Sequence, residues 1–261
     1  MIEAINHYMK IYAIDPCLGS RRMSYLLSEI MGQRIGRKKA TRIRNILNYK
    51  TLYPHKNTSE PAPEHKKYAY LLKNMAINSP DQVWTSDITY LPVGKGHFYL
   101  CCVMDWASRE ILGWNFGTTM DTKFCLEALE QALSTGRKPE VFNTDQGSQY
   151  TSEEWLNALE SRGITISMDG KGRWQDNVRM ERFWRSYKYE HYYLQGSETL
   201  KEIRAKGTEW IEYYNTIRPH SKLAMQSPSM WREALMQPNS PPPRRNFFQQ
   251  ASTSLRSVTA C

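Results

Sequence analysis

The chain has 261 residues, long enough for one sizeable core with a smaller appendage, and carries a formal net charge of +9. Its longest apolar runs, such as residues 98–103, are strand-sized and far short of a membrane span, and the first eleven residues hold one lysine and no apolar signal-peptide stretch. Five cysteines without a C-x-x-C pair, and six histidines without zinc-ligand spacing to them, argue against a disulfide framework or a structural zinc site and suit a reducing cytoplasm.

The charge is uneven. Residues 1–80 hold 14 Lys and Arg against 5 Asp and Glu, whereas the remainder balances at 21 of each. A basic segment joined to a neutral, carboxylate-containing body suits a polyanion partner, although a merely solvated surface has the same composition. Residues 21–31 (RRMSYLLSEIM) set Met23, Leu26, Leu27 and Ile30 on one face at helical spacing, and Gly32 breaks the pattern. Residues 36–48 (GRKKATRIRNILN) resume it with Ala40, Ile43 and Leu47, leaving Arg37, Lys38, Arg42 and Arg44 mostly off the stripe. Two short helices across a turn, the second basic, fit a helix-turn-helix whose second helix enters the DNA major groove. An ordinary helical hairpin with a solvated basic face fits the same residues.

Residues 54–80 mix Pro, charge and small polar residues and read as a linker. Residues 83–91, 97–105 and 110–116 are rich in aromatic and β-branched residues, separated by turn signals, and read as three antiparallel strands. A helix over 122–133 capped by Asp121, a strand at 141–144, a helix near 152–162 and a strand at 165–168 follow. A Gly-rich loop (169–172) leads to a long helix starting near 176–177, and another helix covers 198–214. This order predicts an α/β fold: an RNase H-like mixed sheet flanked by helices, with a small N-terminal helical, helix-turn-helix-like domain. The expected division is a helical DNA-binding domain (1–53), linker (54–80), catalytic core (81–195), helical extension (196–237) and a tail (238–261) of disordered composition.

Three acids stand out by their setting. Asp87 lies mid-strand in VWTSDITYL, where a charge is costly without a partner or a task. Asp145 ends a short strand before Gln146–Gly147, and Glu181 sits in the aromatic-rich helix DNVRMERFWRSYK. Carboxylates from a central strand, a neighbouring strand end and a packed helix can converge at one sheet edge. Oxygen-only ligands of this kind favour Mg²⁺ or Mn²⁺, and two such ions about 4 Å apart suit in-line phosphoryl displacement. The 35 residues between Asp145 and Glu181 carry little weight alone, because 26 residues of the chain are acidic and such pairs arise by chance. Each acid by itself could equally be a cap, a turn residue or half of an ion pair.

WTSDITYL, NTDQGSQYTS and DNVRMERFWRSYKYE closely resemble the three catalytic blocks of a bacterial insertion-sequence transposase family whose core is shared with retroviral integrases. YYNTIRPHSKLAMQSP (213–228) resembles the family's block after the catalytic helix, and LGSRRMSYLL (18–27) its small helical domain. The resemblance covers residues 15–235 in the expected order. It implies that Asp87, Asp145 and Glu181 are a metal-binding catalytic triad, with two Mg²⁺ or Mn²⁺ ions, performing DNA end cleavage and strand transfer. It also implies double-stranded DNA ends and target as partners, a homo-oligomer on DNA, an upstream-frame product as partner or fusion, and a bacterial, nucleoid-associated cytoplasmic setting. Lys188, seven positions beyond Glu181, matches a basic family residue and would contact a phosphate, or simply be solvated; Asn177 would orient a carboxylate or contact DNA, and Lys171 and Arg173 are further expected DNA contacts. Trp174, Phe183, Trp184 and Tyr187 read as core. The paired His and Cys of the retroviral zinc domain have no counterpart here, and Asp169–Gly170 stand where more basic or hydroxyl residues are usual. A hydrolytic nuclease of RNase H type and a DNA-binding regulator built on an inactive transposase remain the alternatives.

Overall fold

The computed structural model describes residues 2–52, 68–94, 96–169 and 178–237. Three N-terminal helices, Ile2–Ile14 (α1), Ser20–Met31 (α2) and Arg37–Ile46 (α3), pack around Tyr8, Ile11, Met23, Leu26, Leu27, Ala40 and Ile43. Gly32 ends α2 in the left-handed region at φ 62°, and the Ser28 hydroxyl accepts the Ile35 N–H at 2.8 Å, which fixes the turn into α3. Helix α1 was not expected. Its buried residues Ala4, Tyr8 and Ile11 follow helical spacing, but exposed Ile2, Met9 and Ile14 blur the stripe.

The five-stranded sheet is built around Val83–Val93 (β1). Gly96–Asp105 (β2) pairs with it antiparallel from Trp84↔Asp105 to Val93↔Gly96, and Ile111–Gly117 (β3) pairs antiparallel with β2. Val141–Thr144 (β4) runs parallel to β1 on its other side, and Thr165–Met168 (β5) runs parallel to β4, giving the order β3-β2-β1-β4-β5. This is the mixed, RNase H-like sheet expected. Parallel neighbours need a crossover, and Glu153–Glu160 (α5) supplies it between β4 and β5. Thr122–Leu133 (α4) joins β3 to β4, with Asp121 accepting the Phe124 N–H at 2.8 Å as its cap.

Helices cover both faces. Strand alternation sends neighbouring Cys101 and Cys102 to opposite sides. Cys101 joins Trp84, Phe142 and Trp155 beneath α4 and α5. Cys102 joins Met180, Phe183, Trp184 and Tyr187 of Val178–Tyr187 (α6) and Trp210 and Tyr214 of Leu200–Thr216 (α8). After Tyr187 the helix widens into a π-helical turn, Lys188–Tyr192, and ends in a short turn, Tyr193–Gln195 (α7). A last helix, Pro228–Met236 (α9), follows α8. Of the expected linker, residues 68–80 contain no helix or strand, and Leu72 is buried with Val83, Trp106 and Val141; the rest of it (to 67), residues 170–177 with most of the expected Gly-rich loop and the expected helix start, and the expected tail 238–261 lie outside the described residues.

Gly113 on β3 is required by close approach: a β-carbon there would run into the Ala128 carbonyl oxygen and lie 2.8 Å from the Ala132 nitrogen, both backbone atoms of α4. Gly113→Ala is therefore expected to destabilise by about 3 kcal/mol, the upper range for overpacking a core. Denaturant midpoints would measure this, and a variant as stable as the parent would contradict so tight a seat for α4.

Candidate active site

Asp87 sits in the middle of β1 opposite Cys102, so its side chain shares the face covered by α6. There the Trp184 indole N–H donates to Asp87 Oδ2 at 2.8 Å, while the Ile88 N–H donates to Oδ1 at 2.8 Å. Trp184 was expected only as core. It is core, but a buried indole also needs an acceptor, and its position three residues after Glu181 was the available clue.

Asp145 follows β4 directly. Thr85 stands opposite Asn143 in the last pair of the parallel β1–β4 ladder, and Asp87 and Asp145 each follow two residues later, Asp87 within β1 and Asp145 just past the end of β4. Asp145 lies outside the carboxyl end of β4, where open α/β sheets place ligands. It is exposed, and the Gly147 N–H donates to its Oδ1 at 2.9 Å. The protein crowded around it pushes its carboxyl above the ordinary range, and the Gly147 N–H pulls the other way.

Glu181 occupies the first turn of α6, one helical turn before Trp184. It is exposed and makes no hydrogen bond or ion pair among the described residues. Other acids are committed elsewhere: Asp81 pairs with Arg137 and Arg232 at 2.8 and 2.9 Å, and Asp105 accepts the Ser108 N–H and the Asp81 N–H at 2.7 Å each. Asp87 and Asp145 thus each follow the Thr85↔Asn143 pair by two residues, and α6 is hydrogen-bonded to Asp87 one turn from Glu181. Among the described residues no three His, Cys, Asp or Glu side chains, Asp87, Asp145 and Glu181 included, are grouped so that they could hold a metal ion. The donor set nevertheless fits a hard divalent cation: it is all oxygen, and Asp145 Oδ2 and both Glu181 oxygens have no partner among the described residues.

Lys188 opens the π-helical turn at the end of α6 and is half-buried. Burial pushes its ammonium pKa down, and the Asp87 carboxylate opposes that, which places Lys188 within the field of the same acid. On α3, Arg37, Lys38 and Arg42 are exposed and Arg44 is partly so, none with a carboxylate partner among the described residues. Lys171, Arg173, Asn177 and Trp174 lie outside the described residues.

An RNase H-like sheet of this order, flanked by helices, is the fold of a class, the integrase-type cores. The chain matches the integrase core domain over residues 77–173 and a second integrase core family over 162–228. It is 33% identical over 196 residues to the transposase for insertion sequence element IS904 of Lactococcus lactis, covering 72% of this chain and 78% of that one. It is 32% identical over 225 residues to the 31 kDa protein of insertion element IS600 of Shigella sonnei, covering 82% and 81%. Among solved structures, a chain of the simian T-cell lymphotropic virus intasome in complex with PP2A regulatory subunit B56 gamma superposes with a TM-score of 0.54 at 16% identity, covering 85% of this chain and 73% of that one; this likeness concerns the fold alone. The chain belongs to the insertion-sequence transposases that carry an integrase core domain. Membership implies polynucleotidyl transferase activity in DNA transposition.

Proposed function

We propose that this transposase cleaves the ends of its insertion sequence and joins them to target DNA, with Asp87, Asp145 and Glu181 holding two divalent cations, Mg²⁺ or Mn²⁺. The observation that carries this reading is that Asp87 and Asp145 each follow the paired Thr85 and Asn143 of β1 and β4 by two residues, with α6 bonded to Asp87 so that Glu181 follows one turn away. When bound, the ions supply activation of the attacking oxygen and stabilisation of the leaving oxygen.

The residues of the chain do the positioning. Trp184 holds Asp87 in one orientation, and the Gly147 N–H does the same for Asp145. In the first reaction water attacks the phosphodiester at the element end, leaving a free 3′-hydroxyl and a 5′-phosphate. In the second, that hydroxyl attacks a target phosphodiester, one bond forming as one breaks, and the target's own 3′-oxygen departs with a proton. No protein nucleophile is required. Arg37, Lys38, Arg42 and Arg44 on α3, with Lys188 near Asp87 and Lys171, Arg173 and Asn177 preceding α6 in the sequence, are assigned to DNA, mainly through phosphates. Joining two ends calls for at least two protomers, so a homo-oligomer assembles on DNA, alone or with an upstream-frame partner, in the bacterial cytoplasm at the nucleoid. Among the described residues no helix is long and apolar enough to cross a membrane.

Metal removal tests this reading. A labelled DNA end and a supercoiled target should give joined products in Mg²⁺ or Mn²⁺, none after chelation, and products again when the metal is restored. Cleaved ends that never join would assign a nuclease instead. DNA binding with neither cleavage nor joining, even with the upstream product added, would assign a regulator.

A further inference from the structure

A basin of about 340 Å³ opens on the flank of α6, lined by six cationic side chains and one carboxylate. Its floor holds that carboxylate. Glu190 accepts from Arg218 Nε and Nη2 at 2.6 Å each and from Arg22 Nη2 at 3.2 Å, so the single carboxylate is spent on two arginines. Arg109, Arg182, Arg185 and Lys222 line the same space and have no carboxylate partner among the described residues. Arg109 reaches it from the β2–β3 turn with φ 63°, a left-handed backbone that a non-glycine residue adopts at a cost.

We propose that this basin seats backbone phosphates of the DNA strand lying across α6, with Arg109, Arg182 and Lys222 as the phosphate-binding residues and Arg185 at the mouth. The inference rests on the transposase reading above and adds a contact surface to it. Guanidinium groups crowded without counter-charge attract an anion, and their planar forks match phosphate oxygens. Burial first, then the neighbouring Arg182, pushes the Arg109 pKa down; burial, Arg109 and Arg182 push that of nearby Arg179 down to about 10. The volume is that of a small-ligand site, and the exposed Arg182, Arg185 and Lys222 leave its mouth open, so a phosphate still attached to a chain can enter. The position favours DNA over a free small anion. Arg185 lies about 6 Å along the helix axis from Glu181, so a strand reacting at Glu181 carries its neighbouring phosphates over the basin.

The test uses the full chain and a labelled duplex, with affinity measured by fluorescence anisotropy across a salt series. Each phosphate contact contributes about 0.9 to the slope of log affinity against log salt. The double variant Arg109→Gln/Lys222→Gln should therefore lower the slope by roughly 1–2, and Arg182→Gln alone by about 1. Melting temperature should not fall in either, because removing an unpaired cation relieves repulsion. Slopes equal to the parent's would overturn the proposal. If tripolyphosphate then raised the melting temperature of the parent but not of the double variant, the basin would be a small-anion site instead. Equal slopes with strand joining intact would leave the proposed function standing, whereas a parent that binds no DNA would remove both.

Discussion

Glu190→Gln is expected to destabilise the protein by about 3–5 kcal/mol, the cost of leaving a buried charge without its partner. The Glu190 side chain is 5% exposed and that of Arg218 is 3%. The pair is bidentate, and Arg22 of α2 adds a second cation, so one carboxylate links the N-terminal helices, the π-helical turn after α6 and the segment after α8. Burial alone would raise the Glu190 carboxyl, yet Arg218 and Arg22 outweigh it and hold the pKa at about 2, against an ordinary 4.5. Asp15 moves the opposite way: burial and the Glu190 charge raise it, while its Oδ2 accepts the Tyr213 hydroxyl at 2.6 Å. Because the folded pKa of Glu190 is depressed, its contribution is fully present above about 4.5 and is lost as pH falls toward about 2. Denaturation of parent and variant should differ most near neutral pH and converge in acid. A difference under about 1 kcal/mol at neutral pH would instead mark an ordinary surface ion pair.

The second large effect concerns the acids. Asp87→Asn, Asp145→Asn and Glu181→Gln keep side-chain volume and remove one negative charge each. If the three hold the metal ions, each should lower strand joining by at least about 10³-fold, equivalent to about 4 kcal/mol of transition-state stabilisation. DNA affinity should change little, since the cations assigned to phosphates remain. Asp87→Asn should also cost about 1 kcal/mol of stability, because the Trp184 indole then donates to a neutral acceptor. Asp145 and Glu181 are exposed, so their variants should melt with the parent. That contrast separates chemistry from folding.

The sheet was legible because its strands carry dense aromatic and β-branched residues between turn signals, and because Asp121 marks a helix start by a side-chain cap that the structure contains. The three acids could be picked out by context: a charge in mid-strand, an acid at a strand end, an acid in an aromatic helix. The Trp184–Asp87 bond was not legible, since it joins residues 97 apart. Nor was the basic basin, whose lining comes from α2, the β2–β3 turn, α6, the π-helical turn and the segment after α8. Local charge counting found α3, where the cations are consecutive, and passed over cations that only the fold assembles. The π-helical turn at Lys188 was missed for a related reason, because residues 188–192 have no sequence signature apart from ordinary helix.

Strand joining by parent and Glu181→Gln, run side by side on a labelled end and supercoiled target in Mg²⁺ or Mn²⁺, tests the central claim most directly. The expected result is joined product from the parent and at least a ~10³-fold loss in the variant, with DNA affinity and melting temperature unchanged. Joining by Glu181→Gln at the parent's rate would contradict the assignment of Glu181, and with it the metal-holding triad.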